Sequence, residues 1–133
     1  MIVVDTNIIA YLLINGDRTA MAVEVARKDR EWISPRLWRS EMRNLLTLYV
    51  QREVFSRRAA VLIMEEALAT MQDHEFEPES GRVLELAEIS GCTAYDCEFV
   101  SLAERFNVPL VTSDKKLLNS FPDIAVSMEN FLS

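Results

Sequence analysis

The sequence predicts an α/β fold, a three-layer α/β/α sandwich with a short, mainly parallel central sheet. Short apolar segments alternate with longer segments whose apolar residues recur at helical spacing, which is typical of parallel βαβ units. The chain has 133 residues, of which 50% are hydrophobic. This length suits one domain with a hydrophobic core and is too short for two ordinary domains, so we expect a single domain over residues 1–133.

The first predicted elements are a strand and two helices. Residues 2–4 are β-branched and suit a short buried strand. Thr6 is expected to cap a helix over 7–14, and the polar, glycine-containing segment 15–17 ends it. A second helix is predicted over 18–27.

The next elements are a strand over 31–34 and a long helix. Ser34 and Pro35 predict the start of this helix, with the serine as cap and the proline in the first turn, and the pattern continues to about Arg52. Apolar residues at helical spacing predict its buried face: Trp38, Met42, Leu45, Leu46 and Tyr49.

The rest of the chain continues the alternation. The predicted segments are a helix over 56–71, a weak strand over 74–76, a helix over 78–90, a helix capped by Thr93 that reaches about Phe106, a strand over 110–112, a short helix over 115–119 after Asp114, and a strand over 124–126. The buried stripe of the Thr93 helix is predicted to be Tyr95, Phe99, Leu102, Ala103 and Phe106.

Composition excludes several classes of protein. The apolar stretch over 8–14 is too short to span a bilayer and lacks the flanks of a signal peptide. Cys92 and Cys97 are too few for a zinc site and are an unlikely pair for a disulfide, so we expect reduced packing residues. We therefore expect a cytoplasmic protein that does not bind membranes.

Charge is unevenly distributed along the chain. The net charge is −7, which argues against general adhesion to nucleic acid. Residues 27–58 nevertheless carry nine Lys or Arg against four acids, a net of +5, and the remainder carries five against seventeen, a net of −12. A polyanion would meet the protein at this basic region.

Four acids are predicted to lie near one edge of the sheet. Asp5 directly follows the first strand and Asp114 closely follows the strand over 110–112, so both lie at the carboxyl edge, where α/β folds bind ligands. Glu41 borders the buried stripe of its helix, since Trp38 and Leu45 share its face. Asp96, in the first turn of its helix, also borders the core.

Clustered carboxylates in a partly dry place raise one another's pKa, and a divalent cation relieves that repulsion. Hard oxygen ligands suit Mg²⁺ or Mn²⁺. The chain has one histidine, His74, and no glycine-rich phosphate loop. Metal-assisted hydrolysis of a phosphodiester is the chemistry that these residues best permit.

Each acid also has a structural interpretation. Asp5 can begin a helix cap with Thr6, and Asp96 can belong to a capping box with Thr93. Asp114 or Ser113 can cap the short helix that follows. Glu41 can pair with a neighbouring arginine, Arg39 or Arg43.

Polar residues around the acids have two interpretations as well. Arg36, Arg39 and Arg43 form a basic stripe on the Glu41 helix, which is either a solvated face or a contact surface for RNA phosphates or a partner's carboxylates. Thr6 and Thr112 can hydrogen-bond the metal-binding acids. Their alternative roles are capping and strand packing.

Three stretches of the sequence, VVDTNIIAYLL, SPRLWRSEMRNLL and AYDCEFVSLAERFNVPLVTSDKKLL, resemble the PIN-domain family, and within it the VapC-type toxins of toxin–antitoxin pairs. The resemblance covers the whole chain and implies one PIN-like nuclease domain over residues 1–133. The acidic quartet of the family falls on Asp5, Glu41, Asp96 and Asp114. Thr112 matches its hydroxyl residue two positions before the last acid.

The resemblance implies an endoribonuclease that depends on Mg²⁺ or Mn²⁺, leaves a 5′-phosphate and a 3′-hydroxyl, forms a homodimer and is inhibited by a cognate antitoxin. Lys115 and Lys116 stand where some members carry a further acid. We therefore expect one tightly bound metal on Asp5 and Asp96. Glu41 and Asp114 would complete the pocket through water or a second ion recruited by substrate.

Two other functions fit less well. A catalytically silent PIN-like module that only binds proteins would not need the whole acidic quartet. A phospho-acceptor or phosphatase domain that uses Asp5 fits poorly, because the haloacid-dehalogenase pattern has a second Asp where this chain has Asn7.

Overall fold

The computed structural model describes all residues, 1–133. Its strands are β1 (Ile2–Val4), β2 (Trp32–Pro35), β3 (Glu75–Phe76), β4 (Leu110–Val111) and β5 (Ala125–Val126). They form one sheet in the order β3-β2-β1-β4-β5, and every pair is parallel. The predicted α/β fold with a short parallel sheet is confirmed.

Eight helices connect and cover the strands. They are α1 (Thr6–Leu13), α2 (Thr19–Lys28), α3 (Trp38–Gln51), α4 (Arg57–Met71), α5 (Ser80–Ser90), α6 (Ala94–Phe106), α7 (Lys115–Ser120) and α8 (Met128–Leu132). Helix α6 packs on β1, β2 and β4 and is covered by α5, whereas α1 packs on β1 and contacts α2, α3 and α4. No helix combines the length and the apolar character that crossing a membrane requires.

Thirty buried side chains form one hydrophobic cluster between the sheet and its helices. The middle of the cluster is β1, whose Ile2, Val3 and Val4 are at most 1% exposed. A central parallel strand is covered on both faces, which explains why β1 reads as a continuous β-branched run. Trp38 and Phe99, both fully buried, bring α3 and α6 into the same core.

The order of the strands creates a topological switch point between β1 and β4. After β1 the chain moves towards β2 and β3, and after β4 it moves the other way, to β5. In open α/β sheets ligands bind outside the carboxyl ends of the strands at such a point. The residues that follow β1 and β4 are Asp5 and the segment Thr112, Ser113 and Asp114.

The predicted start of α3 at Ser34 and Pro35 is wrong. Both residues belong to β2, and the helix begins at Trp38. Ser34 is fully buried and its hydroxyl donates to the carbonyl of Val4 at 2.6 Å. That bond holds Ser34 in β2, four positions before the first residue of α3.

Three smaller predictions also need correction. Asp5, not Thr6, is the N-cap of α1, and Thr6 is its first helical residue. Tyr95 is 63% exposed and does not belong to the core, because the buried part of α6 begins at Cys97. Helix α8 is missing from the sequence prediction. Cys92 and Cys97 are free and buried, as expected.

Candidate functional site

Asp5 is held at the carboxyl end of β1 by both neighbouring elements. Its amide donates to the carbonyl of Val111 in β4 at 3.0 Å. Its Oδ1 accepts a hydrogen bond from the amide of Thr6 at 2.8 Å, which caps α1. Asp5 is only 8% exposed. The carboxylate is therefore fixed in a nearly dry position by the backbone that surrounds it.

Thr112 connects Asp5 to Asp114. Its hydroxyl donates to Oδ2 of Asp5 at 2.7 Å and accepts the amide of Asp114 at 3.0 Å. Asp114 in turn caps α7, with Oδ1 accepting the amides of Lys116 and Leu117. The parallel register that pairs Val4 with Val111 brings these residues together across the switch point.

Thr6 connects the same edge of the sheet to α3. Its hydroxyl donates to Oε1 of Glu41 at 2.7 Å. Glu41 is half-buried, and it pairs with neither Arg39 nor Arg43. Both threonines thus donate to acids of the predicted quartet.

Asp96 reaches the site from the other helical layer. It lies in the first turn of α6, and its amide donates to the hydroxyl of the N-cap Thr93 at 3.0 Å. The charge of Asp114 raises the pKa of the half-buried Asp96 carboxyl, and the charges of Asp96 and Asp114 raise the pKa of Asp5. The four predicted acids therefore share one electrostatic environment.

Three of these carboxyls are harder to ionise than usual. Burial raises the pKa of Asp5, and the charges of Asp96 and Asp114 add to the rise against the hydrogen bonds from Thr112 and Thr6. Burial also raises the pKa of Glu41, and the charges of Asp5, Asp96 and Glu98 contribute. Burial, then Asp114, raises the pKa of Asp96, while Thr93 and Lys116 act in the opposite direction.

The donor chemistry of this pocket fits a hard divalent cation. All of its ligand candidates are carboxylate oxygens, and their mutual repulsion is what such an ion relieves. No protein hydrogen bond reaches Oε2 of Glu41 or Oδ2 of Asp114, so each acid keeps an oxygen for another partner. As placed, the side chains do not form a preassembled group of three or more ligands around one ion.

The basic stripe divides into two parts. Arg39 makes a bidentate contact with Glu75 in β3, at 2.6 Å through Nε and 2.5 Å through Nη2, and Trp38 donates to the same carboxylate. Arg36 and Arg43 make no ion pair, and they line a cavity of about 410 Å³ together with Ser40, Glu77 and Glu98. Arg39 is a structural residue in this arrangement, whereas the other two arginines remain available.

Sequence reasoning did not predict the roles of Glu98, Tyr11 and Ser113 around the site. Glu98 lies two positions after Asp96, where helical spacing gives no sign that its charge acts on Glu41. The hydroxyls of Tyr11 and Ser113 lie 3.1 Å apart and join α1 to the loop before Asp114. Lys116 lies two positions after Asp114 in the sequence, but the hydrogen bond from its Nζ to the carbonyl of Gly91 could not be predicted.

Comparisons with known proteins identify the family and the fold. The family that matches the chain is described as the PIN domain, over residues 2–124. Ribonuclease VapC3 of Pyrobaculum aerophilum is 27% identical over 124 residues, which cover 91% of this chain and 95% of that protein.

Two solved structures share the fold. PAE2754 from Pyrobaculum aerophilum superposes with a TM-score of 0.78 at 23% identity, covering 98% of this chain and 92% of that one. FitAcB from Neisseria gonorrhoeae superposes with a TM-score of 0.68 at 16% identity, covering 96% of each chain.

Proposed function

The chain belongs to the PIN-domain family, and from that premise we propose that it is a metal-dependent endoribonuclease that acts as the toxin of a toxin–antitoxin pair. The observation that carries the proposal is the meeting of Asp5, Glu41, Asp96 and Asp114 at the switch point of the sheet. The similarity to a protein named Ribonuclease VapC3 supports the substrate class. Residues 1–133 would act as one nuclease domain.

Asp5 and Asp96 would hold one Mg²⁺ or Mn²⁺, with Glu41 and Asp114 reaching it through water or a second ion. When bound, the ion offsets the charge that develops on the phosphodiester and lowers the pKa of water. Thr112 and Thr6 keep Asp5 and Glu41 oriented through their hydrogen bonds. The free oxygens of Glu41 and Asp114 would accept a proton from, or orient, the water that attacks the phosphorus in line.

Charge distribution supports RNA as the substrate and an antitoxin as the inhibitor. Arg36 and Arg43 line a cavity on α3 together with Glu98, whose charge acts on Glu41. The two arginines can therefore hold phosphates of the bound strand while the acidic remainder repels it. An antitoxin that presents Arg or Lys to the four acids would supply the positive charge that an ion supplies. We further propose a cytoplasmic homodimer, supported by exposed apolar side chains on α5 and α6, of which Leu84, Ile89 and Tyr95 are 63–73% exposed.

The test is cleavage of single-stranded RNA by the purified protein without antitoxin. We expect cleavage with Mg²⁺ or Mn²⁺, none with EDTA, and a loss of at least about 1,000-fold in Asp5→Asn and Asp96→Asn, because both remove a charge that no other residue replaces. Glu66→Gln is the matched control, since Glu66 is an exposed acid on α4 with no ion pair. Thermal unfolding in the presence of EDTA reports whether each variant is folded.

Undiminished cleavage by folded Asp5→Asn protein would reject the assignment of the site. Absence of metal-dependent cleavage in the wild type, with tight binding to a protein partner, would support the silent protein-binding module instead. Size-exclusion chromatography with light scattering tests the homodimer separately.

A further inference from the structure

Lys116 connects the turn before α6, the helix that carries Asp96, to the N-terminus of α7, which Asp114 caps. Its amide donates to Oδ1 of Asp114 at 2.8 Å. Its Nζ donates to the carbonyl of Gly91 at 2.8 Å, across 25 positions of sequence. Lys116 is therefore held at both ends, by the cap of α7 and by the turn that precedes α6.

The turn at Gly91 explains how this contact forms. Gly91 ends α5 in the left-handed region, with φ 74°, and its amide donates to Ala87. The carbonyl is then free of the helix and accepts the lysine ammonium. Two residues later Thr93 caps α6, so the ammonium is placed at the start of the helix that carries Asp96.

The charge of Lys116 acts on the acidic pocket. Of the charges that shift the pKa of Asp5, Glu41 and Asp96, Lys116 is the one cation. Lys115 and Lys116 are both exposed, but Lys115 makes no side-chain hydrogen bond, and of the two only Lys116 affects the pKa of Asp96. The two adjacent lysines therefore differ in geometry and in electrostatic effect.

We propose that Lys116 is a built-in cation on the Asp96–Asp114 side of the pocket, where it joins the N-termini of α6 and α7 and restricts the free protein to one divalent ion per chain. This inference rests on the proposed metal-dependent function. It assigns Lys116 a positioning and electrostatic role, because a fixed ammonium both neutralises part of the carboxylate charge and repels a second divalent cation. One ion then remains for Asp5 and Asp96.

The number and affinity of Mn²⁺ ions test the proposal without reference to catalysis. Isothermal titration calorimetry, supported by paramagnetic resonance of free Mn²⁺, is carried out on the full-length protein after removal of metal. We expect one ion per chain for the wild type and for the control Lys115→Gln. In Lys116→Gln, a second ion is expected to bind at least about tenfold more tightly than to the wild type, since a unit charge no longer opposes it.

Lys116→Arg separates charge from packing. It keeps a cation and a donor for Gly91, so we expect the wild-type stoichiometry of one. Two ions in Lys116→Arg, or unchanged stoichiometry and affinity in folded Lys116→Gln, would overturn the role of the charge. If Lys116→Gln does not fold, Lys116→Glu and Lys116→Met are compared with Lys116→Arg in the same assay.

Failure of this inference is distinguishable from failure of the proposed function. A wild type that binds one ion and cleaves RNA, with variants at position 116 that bind the same single ion, refutes the inference alone. A wild type that binds two ions without RNA also refutes it and leaves the nuclease intact. A wild type that binds no divalent ion overturns both.

Discussion

Replacement of Thr112 by valine tests whether one buried hydroxyl holds the candidate site together. Valine keeps the shape and the strand preference of threonine, so the change removes the hydroxyl and little else. Thr112 is fully buried, and its hydroxyl donates to Oδ2 of Asp5 at 2.7 Å. A hydrogen bond to an ionised group contributes about 1.5–3 kcal/mol.

The second bond of Thr112, from the amide of Asp114 at 3.0 Å, adds less, because Asp114 is half-buried and water can replace the hydroxyl. We expect Thr112→Val to lower the free energy of unfolding by about 2–4 kcal/mol at pH 7.5. For a domain of this size that corresponds to a fall of roughly 10 °C in the melting temperature.

Urea unfolding monitored by circular dichroism measures this change, with Thr112→Ser as the control that keeps the hydroxyl. Thr112→Ser should lose only about 1 kcal/mol, the contribution of one buried methyl group. A loss below about 0.5 kcal/mol in Thr112→Val would refute the reasoning that Asp5 depends on this bond. A larger loss in Thr112→Ser than in Thr112→Val would show that the methyl group contributes more to stability than the hydroxyl.

The other predictions concern charge at the same edge of the sheet. Burial and the charge of Asp114 raise the folded-state pKa of Asp96, so the stability of the metal-free protein falls as pH rises from the ordinary carboxyl range through that raised pKa. Asp96→Asn removes this titration and should therefore gain stability relative to the metal-free wild type over that pH range in urea unfolding. A stability difference that does not change with pH would contradict this. Asp114→Asn should keep the cap of α7, while Asp114→Ala should lower the free energy of unfolding by about 1 kcal/mol in the same measurement. Equal stabilities of the two variants would show that Asp114 does not stabilise α7 as a cap. Arg36→Ala and Arg43→Ala should each weaken RNA binding and reduce the slope of log affinity against log salt concentration by about 1, as measured by fluorescence anisotropy, with unchanged melting temperature. Arg39→Ala should instead lower the melting temperature, because Glu75 loses its partner.

The sequence contains enough information to predict the architecture, because each strand differs in pattern from the helices around it. The run of Ile2, Val3 and Val4 is apolar on both faces, as a central parallel strand requires. Helix α8 is different, since it has only five residues, and a segment of that length carries too little periodicity to distinguish it from a loop. Position in the chain also allowed Asp5 and Asp114 to be assigned to one edge, because both follow parallel strands.

The start of α3 could not be predicted from local signals. Ser34 and Pro35 have the chemistry of a helix start, but Ser34 uses its hydroxyl for the carbonyl of Val4, a contact between positions 30 apart in the sequence. Tertiary contacts of this kind override local preference. The pairing of Arg39 with Glu75 is hidden for the same reason, since β3 lies 36 positions further along the chain.

Capping and metal binding need not be alternative roles for an aspartate, because a carboxylate has two oxygens. Asp114 caps α7 with Oδ1 alone, and no protein hydrogen bond reaches its Oδ2. Asp5 caps α1 with Oδ1 and accepts Thr112 with Oδ2, and each oxygen keeps a second lone pair. The backbone that these caps stabilise is the backbone that fixes the carboxylates at the switch point. A one-residue slip of β4 against β1 would separate Asp5 from Thr112 and turn every side chain of β4 to the opposite face. The register that buries the core therefore also determines the geometry of the site.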